Sequence, residues 1–223
     1  MESESIRWVT SDADMAVLPR GRHSLPPEAV TDSQRGRMLR AAALAVAEKG
    51  YGDTVVTDVI ERAHVSRKTF YEHFADLQDC FRQAHATACE TLLATVVEAS
   101  RAGPQEGFGA IRSGVQGYFD LIAGEPEMTQ AFFADAVAAG PAVAQKRKET
   151  MGSLGELILA GYRLARDEDP ALPEPPPLAG TAATGAINEI CLSALADENL
   201  ESLPGRTDET VAIIRGILTS SAA

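Results

Sequence analysis

From Met38 onward the apolar residues of this chain recur at three- and four-residue intervals, and no run of alternating β-branched residues long enough for a strand interrupts them. That spacing draws one stripe along a helix. Stripes of this kind are buried by packing helix on helix. Composition agrees. Hydrophobic residues make up 45% of the 223, aromatics only 5%, and the apolar load falls on Ala and Leu, which favour helices. The expected fold is all-α.

Glycine and proline divide the chain into about nine helical segments. Thr31-Asp32-Ser33 is a start signal for the first, which runs to Lys49 and stops at Gly50. Met38, Ala42, Ala45, Val46 and Lys49 share one face of it. A second segment covers roughly 55–63, with Val56, Val59, Ile60 and Ala63 inward. After the turn His64-Val65-Ser66, a third spans Ser66 to Phe74 with Ser66 as its N-cap. The fourth runs from Asp76 to about Ala102 and ends at Gly103-Pro104. Further helices are expected near 105–123, 126–139, 141–167, 178–197 and 207–220. Asp167 to Pro177, with five prolines, is a loop.

Several function classes drop out. No apolar stretch reaches the roughly 18–20 residues of a membrane span, and the acidic start MESESIRWVTSDAD does not read as a signal peptide. A cytoplasmic protein with no membrane partner is expected. Cys80, Cys89 and Cys191 follow no pairing or metal pattern, so they read as small buried thiols. His85 and Cys89 lie four apart, but two ligands without a third make no metal site. Gly103 to Gly109 is glycine-rich, yet it lacks the Lys-Ser/Thr of a phosphate loop and follows no strand. Nothing among the four histidines supports a catalytic constellation. No enzyme, cofactor or metal is expected.

Charge is unevenly spread. The net charge is −12. Between Met15 and Phe74, nine basic residues face seven acidic ones, whereas from Gln83 onward nine basic face nineteen acidic. The deficit therefore belongs to the C-terminal part, which leaves the N-terminal segment suited to phosphate. Residues 1–31 read as a flexible arm with a basic cluster, Leu18 to His23. That cluster is either a solvated tail or an arm whose Arg20 and Arg22 lie in a DNA minor groove.

The third segment is the most informative. Phe70 and Phe74 are four apart and point to the core, leaving Arg67, Lys68, Thr69, Tyr71 and His73 on the other faces. A short helix with an apolar anchor and a basic, hydrogen-bonding outer face suits a major-groove reader. The stretches Ala47 to Tyr51, Val56 to Ile60 and Ala63 to Phe74, with the phrase Val-Ser-Arg-Lys-Thr-Phe-Tyr-Glu-His-Phe, resemble the DNA-binding domain of TetR-family regulators. The close resemblance covers about 33–83. Beyond it, only the helical layout and the length are similar.

The resemblance implies a helix-turn-helix DNA-binding domain at 32–75 and a ligand-binding and dimerisation domain at 76–223. It implies a homodimer joined through the last two helices, a palindromic operator in double-stranded DNA, and a small apolar or amphipathic ligand that releases a repressor. Arg67 and Lys68 then fall where bases are read. Thr69, Tyr71 and His73 match positions that hold phosphates, and Thr57 reaches the groove or the backbone. Three departures stand out. His64 occupies a turn position usually held by Gly, where positive φ is wanted. Leu77 replaces a frequent Lys, so Arg20 and Arg22 are candidates to restore that phosphate contact. Val55 replaces a frequent Thr, which shifts the expected contact to Thr54.

In the C-terminal part, Gly180, Ala182, Ala183, Gly185, Ala186, Ala194 and Ala196 make the eighth helix small-sided, and Val211, Ile213, Ile214, Ile217 and Leu218 make the ninth apolar. The pair reads as a dimer interface or as an intramolecular core. Phe108, Tyr118, Phe119, Met128, Phe132, Phe133, Met151 and Tyr162 are together the candidates for an adaptable pocket, although each taken singly reads first as core filling. The rival to a DNA reader is a protein-interaction module that kept the fold, for which the acidic body and Leu77 speak. Activation instead of repression is the other alternative.

Overall fold

The computed structural model describes the backbone of residues 27–134 and 136–220 and the side chains from residue 31, apart from those of 135–137. Arg20, Arg22 and most of the expected arm lie outside the described residues. Among those described, the protein is all-helical, with nine α-helices. They are α1 (Pro27–Lys49), α2 (Val56–Ala63), α3 (Arg67–His73), α4 (Leu77–Ala102), α5 (Gly109–Gly124), α6 (Pro126–Thr129), α7 (Pro141–Glu168), α8 (Ala179–Ala196) and α9 (Thr207–Leu218). None is long and apolar enough to cross a membrane.

Two compact units divide the chain. Of the described residues, the first takes those up to Ala88 together with Glu127–Ala144, and the second takes Cys89–Pro126 and those from Gln145 onward. The division falls inside α4, beyond the 75/76 boundary read from sequence. The reason is packing: Cys80, Phe81 and Ala84 on the first turns of α4 are fully buried, and the Phe81 ring packs at a tilt against Tyr51 at 5.3 Å and Phe132 at 5.9 Å.

In the first unit α1 packs along α2 and against 130–134. Its buried stripe is Met38, Leu39, Ala42, Ala45 and Val46. The helix starts at Pro27, ahead of the expected Thr31-Asp32-Ser33. Proline suits a first helical position because its missing N–H would be unpaired there anyway. Gly50, at φ 79°, ends the helix and donates its N–H to the Val46 carbonyl at 2.7 Å. The region expected as one helix, 126–139, is instead α6, a widened turn over Gln130–Ala134, and a 3-10 turn over Ala136–Ala139. Met128, Ala131, Phe132 and Phe133 are all buried. A regular helix buries a single stripe, and the widened turn brings two adjacent phenylalanines inward.

The second unit packs the later part of α4 with α5, α7, α8 and α9. Helix α9 lies against α8 and α5, and a 3-10 segment, Leu200–Arg206, lies against α5. Helix α5 begins at Gly109, four residues later than expected, because Gly107 takes φ 54° and donates its N–H to Glu168 at 2.6 Å. The proline-rich loop is tied to α7. Tyr162 donates its hydroxyl to the Pro173 carbonyl at 3.0 Å and Arg166 donates to the Leu172 carbonyl at 3.2 Å. Helices α7 and α8 meet almost backbone to backbone, since a Cβ on Gly155 would stand 3.1 Å from the Gly180 carbonyl. Part of the small-residue stripe on α8 is thus used within the chain: Gly180, Ala183 and Ala194 are buried, while Ala182 and Gly185 stay exposed.

Candidate nucleic-acid interface and ligand cavity

Helices α2 and α3 are joined by a turn of defined chemistry. His64 stands in the left-handed region at φ 54°. Its N–H donates to the Glu61 carbonyl, and the Val65 N–H reaches back to the Ile60 carbonyl at 3.1 Å. This closes the end of α2 in the manner a glycine usually does. The expected positive φ is therefore present on a non-glycine residue. Ser66 then caps α3, its Oγ accepting the Thr69 N–H at 3.0 Å. Phe70 and Phe74 are 0% and 2% exposed and pack 5.5 Å apart. Burying each ring contributes about 1.5–3 kcal/mol, which pins a helix of seven residues that would not persist alone.

That anchor decides what α3 presents. Arg67, Lys68 and Tyr71 are exposed, as is Thr57 on α2. Arg67 pairs with no acidic side chain among the described residues, and Lys68 has only the exposed Glu72 at 3.7 Å. The Tyr71 ring meets Phe70 edge-on at 5.4 Å, so its exposed side is held in place. Thr69 is half-buried and its hydroxyl lies 2.8 Å from Ser66 Oγ, which makes it part of the cap. His73 is half-buried as well. Burial first, and the positive charge of Arg35 second, push its pKa below the usual histidine value, so a neutral ring is favoured there.

Thr54 does not join this group. It is 5% exposed and donates its hydroxyl to the Gly50 carbonyl at 2.8 Å, which ties the 51–53 turn to α1 instead of facing solvent. At the start of α2, Val55 is exposed and its N–H is taken by the Asp58 carboxylate at 2.9 Å. Lys49, 2.6 Å from Asp58, holds that carboxyl below the usual range.

Most other cations of the N-terminal segment serve the fold. Arg35 donates to Gln83 at 2.7 Å. Arg37, 8% exposed, donates to the Ala63 carbonyl at 3.0 Å, at the negative end of α2. Lys49 pairs with Asp58, and Arg62 with Glu48. The favourable charge count read from sequence thus condenses, among the described residues, to the outer face of α3. Arg37 as a helix-end clamp was not foreseen. Its only sequence signal is a cation on the buried side of an amphipathic helix.

The second unit contains a cavity of about 320 Å³. Its walls are Val96, Val97, Ser100 and Arg101 of α4; Ala110, Ile111, Gly114, Val115 and Tyr118 of α5; Leu154, Leu157, Ile158, Ala160, Gly161 and Leu164 of α7; and Thr184 and Ile187 of α8, with Gln105 between α4 and α5. Gln105 and Arg101 are exposed, and Gln105 donates to the Ser100 and Gly103 carbonyls at 2.8 Å, closing the end of α4. Of the eight expected pocket residues, only Tyr118 lines this cavity. Phe119, Met128, Phe132, Phe133 and Tyr162 are buried core. Phe108 is covered by the Arg215 guanidinium at 5.1 Å and by Tyr162 at 5.8 Å. Met151 is half-buried away from the lining. The lining is aliphatic, and valine, isoleucine and alanine on a cavity wall carry the same sequence pattern as those in a solid core. Among the described residues, no three His, Cys, Asp or Glu side chains are grouped to hold a metal.

Residues 38–84 match the sequence profile of bacterial regulatory proteins of the tetR family. The HTH-type transcriptional activator FasR of Mycolicibacterium smegmatis is 25% identical over 117 residues, which spans 52% of this chain and 53% of that protein. The fatty acid degradation regulator FadR from Bacillus halodurans shares the fold with a TM-score of 0.69 at 15% identity, covering 89% of this chain and 100% of that one. The transcriptional regulator FadR from Bacillus subtilis, solved in complex with stearoyl-CoA, has a TM-score of 0.68 at 16% identity over 83% of this chain and 98% of its own. All three are regulators by name. The capped α2–α3 turn and the anchored α3 fall inside residues 38–84, so this stretch resembles the DNA-binding domain of the tetR family of bacterial regulatory proteins, and the all-helical fold is shared with solved regulators of that family.

Proposed function

We propose that this protein is a sequence-specific, DNA-binding transcriptional regulator that acts as a homodimer on a palindromic operator and is a repressor released by a small ligand with an apolar body. The observation that carries the DNA-reading part is the outer face of α3. Arg67 and Lys68 are exposed there beside a fixed Tyr71, on a helix whose inner face is locked by Phe70 and Phe74. Arg67 reads a base edge, Tyr71 and the neutral His73 donate to phosphates, and Thr57 supports from α2. Thr69 acts mainly through the cap.

The dimer reading is supported by what the last two helices leave uncovered. Ile213 is 42% exposed, next to exposed Ala212 and Gly216, while α8 exposes Ala182 and Gly185. Two copies of α3 then engage half-sites about one helical turn, roughly 34 Å, apart or more. The ligand reading rests on the aliphatic cavity and on the stearoyl-CoA held by the Bacillus subtilis relative. The ligand acts by favouring the dimer geometry that does not fit DNA. Activation is the second reading, favoured by the printed role of the Mycolicibacterium smegmatis relative.

Selection of random duplex DNA on the purified protein tests the proposal. A recovered palindrome is the expected outcome, and Arg67→Ala should lose about 1–3 kcal/mol of preference at one position of each half-site. A folded protein that enriches no sequence, or whose binding does not weaken with salt, would point to a protein-interaction module instead. A reporter placed behind the recovered operator separates repression from activation.

A further inference from the structure

The aliphatic cavity of the second unit has a definite size and a definite opening. It encloses about 320 Å³. A dry cavity of about 150 Å³ walled by apolar side chains holds benzene, so roughly twice that volume takes an apolar body of about a dozen non-hydrogen atoms. Of the lining residues, Arg101, Gln105 and Leu164 are exposed. They place the opening beside the end of α4, the 103–108 loop and the later part of α7. An open groove between α4 and α7 shares Val97, Leu157 and Ala160 with the cavity and carries the Arg163–Glu156 ion pair. Carbons that outrun the cavity therefore meet water or charge and gain little from burial.

Among the described residues, Arg101 is the only charged side chain of the lining, and it pairs with no acidic group. Nearly every other cation of the second unit is engaged. Arg112, Lys146, Arg163, Arg166 and Arg206 pair with carboxylates. Arg147 donates to Asn188, and Arg215 covers Phe108. Lys148 is the exception, and it lies outside the lining. From Gln83 onward nine basic residues face nineteen acidic ones, so carboxylates are in excess and the arginine at the mouth of the cavity still takes none. A guanidinium offers parallel N–H donors whose spacing matches the two oxygens of a carboxylate. Deeper in the cavity no such partner exists. Thr184, 4% exposed, already donates to the Gly180 carbonyl at 2.8 Å.

We propose that the ligand is a carboxylic acid of medium chain length, about a dozen non-hydrogen atoms in all, and that Arg101 at the cavity mouth selects its charged end. This names the ligand class of the proposed ligand-responsive role and rests on it. The apolar body lies against Val96, Ile111, Val115, Ile158 and Ile187. The carboxylate stays at the exposed mouth, where it keeps part of its hydration and gains the guanidinium. Further in, it would lose water with no cation to compensate. One uncommitted cation matches one negative charge, and a head carrying several phosphates would bring its remaining charge to an acidic surface.

Calorimetric titration of the full chain with straight-chain carboxylates, from hexanoate to tetradecanoate, tests the size. Affinity should rise about fourfold with each added carbon as far as decanoate or dodecanoate and then level off. A rise that continues through tetradecanoate would overturn the size assignment. Decanamide has the shape of decanoate without its charge and tests the head. Arg101→Gln should weaken decanoate by about two- to fivefold and leave decanamide unchanged, and added salt should shrink the difference. Lys148→Gln removes the other uncommitted cation, away from the cavity, and should change neither. An equal effect of Arg101→Gln on both probes, or an equal loss of decanoate binding in the two variants, would overturn the Arg101 assignment and leave the cavity reading standing. No binding of either probe to the wild-type protein would overturn the cavity reading itself, and the assignment with it.

Discussion

Helix α3 and the cavity face opposite physical demands. Helix α3 must be held still so that a few exposed side chains keep one geometry, and it achieves this with two buried rings, a serine cap and a left-handed turn. The cavity must leave room, and it does so with helices that approach closely at glycines elsewhere on the same walls. A Cβ on Gly161 would stand 2.6 Å from Ile111 Cγ1, and one on Gly155 would press on the backbone of Gly180. One region specifies by filling space, the other by where it declines to fill it. The first kind of specification is local in sequence, whereas the second depends on helices that come from distant parts of the chain.

The largest effect should come from the anchor. Phe70→Ala empties a fully buried position and should cost about 3–5 kcal/mol of folding stability, read by urea denaturation, with DNA binding lost in parallel. If the variant keeps its stability, α3 is not pinned as described. Gly161→Ala tests the other region. The new methyl meets Ile111 on the cavity wall, so a loss of about 1–3 kcal/mol is expected, together with weaker binding of apolar probes and unchanged preference among DNA sequences. A change in DNA preference without ligand would break the separation of the two roles.

A smaller and opposite effect is expected at the turn. His64→Gly removes the cost of a left-handed non-glycine residue, and His64 is exposed, so no packing is lost. A stabilisation of about 1 kcal/mol, or a rise of roughly 2–4 °C in melting temperature, should follow. The subtlest test is pH. The folded state holds the His73 pKa below its unfolded value of about 6.5. Below that pH the unfolded chain binds the proton first, so stability present above it is lost as the pH falls through the lowered folded value. His73→Gln should flatten that part of a stability–pH curve measured by thermal melts. A slope that persists in the variant assigns it to another group.

Much of the unit around α2 and α3 was legible because its determinants are close neighbours. Ser66 and Thr69, Phe70 and Phe74, and the stop at Gly50 act within one turn of helix, and periodicity with capping chemistry identifies each of them. The same logic misplaced the start of α1, where the proline at its first position outweighs the Thr31-Asp32-Ser33 signal. It also ran one helix through 126–139, where burying adjacent phenylalanines required a wider turn. The charge balance of the N-terminal segment misleads more deeply. Arg35, Arg37, Lys49 and Arg62 count as available cations in sequence, and the fold uses them for contacts nine to forty-eight residues away.

By itself the sequence determined that the chain is all-helical, where most helices end, and that α3 is a short helix with an apolar inside and a basic outside. These follow from interactions between residues three or four apart, which any single stretch of chain carries within it. Only the tertiary structure decided that Thr54 is an internal tie, that most N-terminal cations are structural, and that Tyr118 alone among the expected aromatic and methionine residues borders the cavity. A cavity is the space between four helices, and its location depends on the distances between them. Those distances are set where Gly155, Gly161 and Gly180 let backbones and side chains meet, through contacts that no local pattern records.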